Sequence, residues 1–308
     1  MTGVPDVPGL AVESVEAGSR LRLAWSGPGT LVVLDSDGAP YLRLTPQGVE
    51  TNTDSRASWL DRDRRGLTVV PPGVDSRGEP VWERTSGPPE VLWHEHRAHW
   101  TGTEPPEGVS GGGGAQRVRD WSLPLQLDGR PLAVTGTLDY VPGPSPLPYV
   151  ALIVVAAAGA ALAVRAGRAG AAACLVVVAA DMVRALGTGL TAADQPVQAL
   201  AAAIGLAGVG WVLLLVAAAG LLRGRSGAVV LAAVGGALVA LSGALPDSGS
   251  LAASLPLTIW PAVVQRGAVA VSLGAGLGLL LGLVAAFKRL SAEQERLAGS
   301  LSPAPSAT

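Results

Sequence analysis

The stretch that decides the fold is Leu138-Asp139-Tyr140-Val141-Pro142-Gly143-Pro144-Ser145-Pro146-Leu147-Pro148-Tyr149-Val150-Ala151-Leu152-Ile153-Val154-Val155. On its N-terminal side apolar and polar residues alternate, the mark of a strand with one face on a core. On its C-terminal side the chain turns apolar for long enough to cross a bilayer. The prolines between favour an extended, stiff spacer. Two kinds of folding therefore meet here, and each half is read in its own terms.

The alternation runs back through the first half. Leu21, Leu23 and Trp25 repeat with period 2, as do Trp121, Leu123, Leu125 and Leu127, and Leu132, Val134, Leu138 and Tyr140 continue the pattern. Two Asp-Gly pairs interrupt it. Asp37-Gly38 lies between Leu31–Leu34 and Leu42–Leu44, and Asp128-Gly129 lies between Leu123–Leu127 and Leu132–Val134. Asp-Gly accepts the positive φ angles of a tight turn, so both pairs predict β-hairpins. Residues 50–66 contain the mixed-charge run Asp61-Arg62-Asp63-Arg64-Arg65 and read as a solvated loop. The run Gly111–Gly114 reads as a flexible insertion.

The second half predicts five membrane spans, at about 148–165, 169–188, 197–222, 226–246 and 262–287. The class is thus β plus membrane α. An antiparallel, immunoglobulin-like β-sandwich of six to eight strands over residues 1–141 is followed by a linker, 142–147. A five-helix transmembrane bundle within 148–290 and a disordered cytoplasmic tail, 291–308, complete the expected architecture.

Charge supports the division. Residues 1–146 carry 19 acidic and 13 basic side chains, a net of −6, whereas residues 147–308 carry 5 acidic and 9 basic, a net of +4. An acidic first half without a basic stripe argues against a nucleic-acid partner. The single cysteine, Cys174, excludes an internal disulfide. Arg165, Arg168, Arg223, Arg225, Lys288, Arg289 and Arg296 fall in alternate connections, while the others hold Asp194 and Asp247. The positive-inside tendency then places the basic connections and the C-terminus in the cytoplasm and the β domain outside. Exporting that domain needs a signal sequence, which Met1–Leu10 does not provide, so this reading expects the encoded start to lie upstream.

Polar groups within the spans are few: Asp181 and Arg184, three residues apart on one helical face, and Arg266 near the start of the fifth span. Asp181 lies about 18 Å along its helix from the cytoplasmic end. Pairs Asp181–Arg184 and Asp181–Arg266 are both feasible. Buried membrane charges are costly and often functional; the competing reading is a structural clamp, or arginines reaching to the outer surface. The glycines at 205, 208, 210, 235, 236, 274 and 276 point to close helix packing.

All three histidines lie within Val91-Leu92-Trp93-His94-Glu95-His96-Arg97-Ala98-His99-Trp100. Imidazole is a common ligand of copper and zinc. On a strand His94 and His96 share a face, and His99 joins them only if the chain turns near Arg97-Ala98. Glu95 is placed to orient an imidazole as a carboxylate behind the ligands. Two other readings stay open. One is a structural network of His and Arg with Glu95, Asp120 or backbone carbonyls, sealed by Trp93, Trp100 and Trp121. The other is a surface that responds to pH.

The stretch Trp93–Trp100, with Gly102-Thr103 and Asp120-Trp121 after it, resembles a tryptophan–histidine motif of uncharacterised actinobacterial membrane proteins. These share the layout of an exported β domain followed by C-terminal spans, and some are associated with copper handling. The resemblance implies a cell-envelope protein, tilts the metal toward copper and implies no catalytic activity. No Walker loop occurs in the chain, and the GxSxG spelling at Gly108-Val109-Ser110-Gly111-Gly112 belongs to the glycine run rather than to a strand–turn–helix pattern, so it is not read as a nucleophile elbow.

Two functions follow as expectations. The first is a membrane protein whose extracytoplasmic domain holds copper or zinc through His94, His96 and His99, for metal handling or sensing. The second is a non-catalytic structural or interaction module, its partners being the bilayer and an envelope protein.

Overall fold

The computed structural model describes residues 1–102, 104–109, 113–192 and 195–301, the side chains of Ala17 and of 289–301 excepted. Thr103, part of the glycine run at 111–114, Asp194 and the last residues of the expected tail, 302–308, lie outside that set. The chain falls into two compact units, Met1–Pro142 and Gly143–Thr308.

The first unit is antiparallel throughout. Its strands are β1 (Leu10–Val15), β2 (Arg20–Trp25), β3 (Leu31–Leu34), β4 (Pro40–Thr45), β5 (Gly48–Asn52), β6 (Trp82–Ser86), β7 (Glu90–Trp93), β8 (Gln116–Leu127) and β9 (Arg130–Tyr140). They form one sheet in the order β1-β2-β7 and another in the order β6-β5-β4-β3-β8-β9. Both Asp-Gly pairs sit in hairpin turns. Gly38 has φ 81°, and Asp128 and Gly129 have φ 46° and 79°. The turns fix register: Leu31 faces Leu44, Val33 faces Leu42, and Leu125 faces Leu132.

The period-2 residues meet in a common core. Leu21, Leu23 and Trp25 of β2 and Trp93 of β7 belong to the same buried cluster as Leu31, Leu44, Leu123, Leu125 and Val134 of the six-stranded sheet. Each such aliphatic side chain, removed from water, stabilises the fold by roughly 1.5–3 kcal/mol. Nine strands replace the six to eight expected among these residues, and the arrangement is not a clear immunoglobulin-like sandwich. The loop expected over 50–66 is also more structured. It holds the end of β5 and a single helical turn, α1 (Ala57–Leu60), anchored by Ser58 Oγ donating to the Ser55 carbonyl.

The second unit is helical: α2 (Leu147–Ala163), α3 (Gly167–Gly189), α4 (Pro196–Ile204), α5 (Ala207–Leu222), α6 (Ala228–Leu238) and α7 (Ala262–Leu301). Two stretches, Gly167–Gly189 and Ala262–Lys288, are long and apolar enough to cross a membrane. The third expected span is broken: α4 and α5 meet at 53°. The break is at Gly205, whose φ of 42° and ψ of −135° suit glycine alone. The fourth passes from α6 into a π-helical segment, Val239–Ala244, and then a 3-10 turn, Pro246–Leu251. With Leu147–Ala163 and Ala228–Ala244 both shorter than 18 residues, a clear five-helix bundle does not emerge. Hydropathy counts apolar residues but is blind to whether the backbone stays one helix.

Small residues set the packing as expected. A Cβ on Gly274, Gly278 or Gly282 would come within 3.0 Å of the α2 backbone at Ile153, Ala157 or Ala161, so this stripe on α7 lets two helices meet almost backbone to backbone. Past residue 290, where a disordered tail was expected, α7 continues to Leu301. The run Ser291-Ala292-Glu293-Gln294-Glu295-Arg296-Leu297-Ala298 is rich in strong helix formers.

Candidate functional site

Strand β7 ends at Trp93, and the chain then turns: the Ala98 amide donates to the Glu95 carbonyl at 2.8 Å. The strand parity that paired His94 with His96 therefore does not apply. The turn instead makes His99 the centre. Its ring lies edge-on to His94 at 5.9 Å and to His96 at 5.3 Å between centroids.

Glu95 and Arg97 brace the turn. Glu95 is 3% exposed and accepts Arg97 Nε at 2.6 Å, Arg97 Nη2 at 3.0 Å and Trp93 Nε1 at 3.2 Å. Arg97 donates onward to the carbonyls of Leu34 and Asp35. A planar guanidinium on a planar carboxylate in this two-bonded geometry is among the stronger polar contacts available to a protein. From β8, Arg119 donates to the carbonyls of His96 and His99. The turn is thus tied to the ends of two strands in the six-stranded sheet.

The imidazoles tie it to two further segments, at Ser19 and at residues 63–64. His94 Nδ1 meets the Ser19 carbonyl at 2.9 Å, His96 Nε2 the Asp63 carbonyl at 3.0 Å, and His99 Nε2 the Arg64 carbonyl at 2.8 Å. His99 Nδ1 meets the Glu95 carbonyl at 3.0 Å. A neutral imidazole donates through one nitrogen only, so an uncharged His99 satisfies one of its two carbonyls and an imidazolium satisfies both. Burial acts against the charged form and holds both His99 and His94 below the usual histidine range.

The remaining nitrogen of His96, Nδ1, faces Asp61 Oδ1 at 3.3 Å. Asp61 is pushed up to about 8, first by burial and then by the Glu95 carboxylate, with Asp35 adding to it and Arg97 opposing. One proton therefore satisfies the Asp61–His96 contact. Tyr41, buried near the same two carboxylates, has its hydroxyl pKa raised by burial above all. A cavity of about 100 Å³ beside the turn is lined by Asp35, Asp61, Glu95, His96 and Arg97, among others.

Several of these partners were not legible in advance. Asp61, Asp63 and Arg64 lie in the run expected to be a solvated loop, yet the Asp61 side chain is only 10% exposed and the other two offer their carbonyls to imidazoles. Asp35 is 3% exposed and accepts the Asp37 and Ala39 amides and Ser55 Oγ; its place before Asp37-Gly38 was the available signal. Of the expected partners, Asp120 bonds to Arg117 at the surface instead. Trp100 is 38% exposed and donates to the Glu104 carbonyl, so it does not seal the cluster. Trp93 and Trp121 are both core residues.

As to metal, the ring nitrogens of His96 and His99 point at separate oxygens rather than at one common position. Among the described residues no group of three His, Cys, Asp or Glu side chains is arranged to hold an ion. The donor set in this arrangement does not fit a preformed copper or zinc site, since such ions need ligands converging at about 2.0–2.3 Å.

The second unit has its own polar cluster. Arg184 and Asp181, 2% and 0% exposed, pair on α3. Arg184 also donates to Asp247 at 2.7 Å in the 3-10 turn and to the Ala203 carbonyl of α4 at 2.8 Å. Trp211 of α5 donates to Asp181 at 2.8 Å, and Gln265 of α7 donates to Thr188 at 2.9 Å. Arg266 does not join Asp181; it donates to the carbonyls of Ser250, Ala253 and Ser254. Charge here closes one network over the broken helices, whose freed backbone groups need partners.

No family model, no curated protein and no solved structure matches the chain.

Proposed function

We propose that this protein is a non-catalytic, multi-pass membrane protein of the cell envelope whose β unit is a structural or interaction module. In this reading the five apolar segments all lie within the bilayer, the β unit is a sandwich outside the cytoplasmic membrane, and the C-terminus is inside. The histidines act as a clasp: His96 and His99 join the turn after β7 to residues 61–64, and His94 joins it to Ser19. The observation that carries the reading is that four ring nitrogens on the three histidines already face backbone carbonyls. A buried carbonyl left without a donor costs about 1–3 kcal/mol, so such contacts are a sufficient reason for the residues to be there.

The second reading is copper or zinc held by His94, His96 and His99. It is favoured by the clustering of three imidazoles edge to face, and it requires the rings to exchange carbonyls for the ion. Titration of the full chain in detergent with Cu(II) and Zn(II), beside His94→Ala/His96→Ala, separates the two. Micromolar or tighter binding that the variant loses supports the metal; a loss of folding stability without binding supports the clasp. Phosphatase and fluorescent-protein fusions after residue 142 and at the C-terminus test orientation. Phosphatase activity at the C-terminus would refute it.

A further inference from the structure

The clasp holds a loop with an unusual surface. Leu67 and Val69 are 73% and 82% exposed, more than any other large hydrophobic residue of the β unit. Immediately before them stand Arg62, Arg64 and Arg65, all exposed. Arg62 lies over the Trp59 ring. Neither Arg64 nor Arg65 takes part in an ion pair among the described residues.

The loop is nonetheless well braced. The Asp63 carboxylate accepts the amides of Arg65, Leu67 and Thr68 and the Thr68 hydroxyl. The carbonyls of Asp63 and Arg64 lie 3.0 and 2.8 Å from His96 Nε2 and His99 Nε2. Gly66 sits at φ 68°, where an added Cβ would lie 2.8 Å from His96 Cε1. A chain braced this way keeps two aliphatic side chains in water that a looser loop would fold back onto the core.

What covers them follows from charge and tether. Six residues, Val141–Pro146, separate β9 from α2, a reach of about 20 Å at full extension. If the helices span a bilayer, the β unit is confined near its surface, where tethering supplies an effective concentration on the order of millimolar and weak contacts suffice. The unit is acidic overall, net −6 over residues 1–146, so an anionic surface repels most of it. In this loop three exposed arginines, Arg62, Arg64 and Arg65, outnumber the Asp63 carboxylate among them, so such a surface attracts it, and aliphatic side chains beside cations suit the headgroup boundary.

We propose that Arg64, Arg65, Leu67 and Val69 form a lipid-docking loop that seats the β unit on an anionic phospholipid bilayer, the two arginines on headgroup phosphates and the two aliphatic residues in the boundary beneath. This rests on the membrane reading of the helices, and the test separates the two. The full chain carrying Cys174→Ala receives one cysteine at a time, by Leu67→Cys, Glu83→Cys or Met182→Cys, and an environment-sensitive fluorophore. It is then reconstituted in phosphatidylcholine vesicles with and without phosphatidylglycerol, with doxyl-labelled lipid as quencher.

Quenching and a blue shift at position 67 but not 83, stronger with phosphatidylglycerol, are expected. Arg64→Gln and Arg65→Gln should each weaken the effect about fivefold. A label at 67 as water-exposed as that at 83, while the label at 182 in α3 is quenched, overturns the docking loop alone. An unquenched label at 182 overturns the membrane reading and the loop with it. A blue shift at 67 that grows with protein concentration without lipid quenching assigns the surface to a protein partner and also overturns the proposal.

Discussion

Removing the charge of Glu95 tests the clasp most directly. Glu95→Gln keeps the shape of the side chain but turns one acceptor oxygen into an amide donor facing the Arg97 guanidinium. Arg97 then keeps the carbonyls of Leu34 and Asp35 and at most one neutral bond to the remaining amide oxygen, in place of the charged two-bonded contact. With Glu95 at 3% exposure and the Arg97 side chain at 22%, water replaces the lost partner poorly. Breaking a buried pair from one side costs about 3–5 kcal/mol; the partial exposure of Arg97 puts the expected loss nearer 2–4 kcal/mol. Substituting both, Glu95→Leu with Arg97→Met, leaves no orphaned charge and should cost less than the two single changes together, with a coupling of about 1.5 kcal/mol or more.

The assay is urea unfolding of the full chain in detergent, followed by tryptophan emission. Six of the eight tryptophans (Trp25, Trp59, Trp82, Trp93, Trp100 and Trp121) lie in the β unit, so that transition dominates the signal. A loss under about 0.5 kcal/mol for Glu95→Gln, or additive single changes, would show that this pair does not brace the turn.

Three further outcomes are expected. Asp61 has a folded-state value of about 8 against 3.8 for the ordinary carboxyl, so its contribution is fully present below 3.8 and is lost as pH rises through about 8. His94 and His99, held below 6.5, contribute stability that is present above 6.5 and lost as pH falls through their lowered values. Between pH 6.5 and 8 only the Asp61 effect acts, and the β unit should lose about 1–2 kcal/mol; a flat profile there, or one that Asp61→Asn leaves unchanged, refutes this. Gly66→Ala should cost about 1–2 kcal/mol for the left-handed backbone, plus the contact with His96. Gly73→Ala, at φ 92° with nothing within 4 Å, should show the backbone cost alone, and equal denaturation midpoints for the two variants would remove His96 from the argument. Asp181→Asn should lower the thermal stability of the helical unit by about 1–3 kcal/mol, more than Asp247→Asn, because Asp181 is fully buried and Asp247 is 23% exposed; the reverse order in differential scanning would mean that Asp181 does not hold Arg184.

Local chemistry was legible where the partners are near in sequence. Asp37-Gly38 and Asp128-Gly129 announce their hairpins because a two-residue turn carries its own conformational demand. Leu21, Leu23 and Trp25 announce a buried face because a pleated strand alternates. The Asp181–Arg184 pair follows from helical spacing. The break at Gly205 and the π segment after Leu238 were not legible, since glycine and alanine suit intact and broken helices alike.

The sequence by itself thus determined the two-part architecture, the antiparallel strands and, of the five expected spans, the two intact helices long and apolar enough for a membrane, because these depend on residue type and short-range periodicity. It also singled out residues 91–100, where every histidine lies. Only the tertiary structure decided what those histidines do: Ser19, Asp61, Asp63 and Arg64 lie 33 to 75 residues away in the chain. Three of those four offer a backbone carbonyl, a group that every residue carries and that no side-chain pattern can reveal.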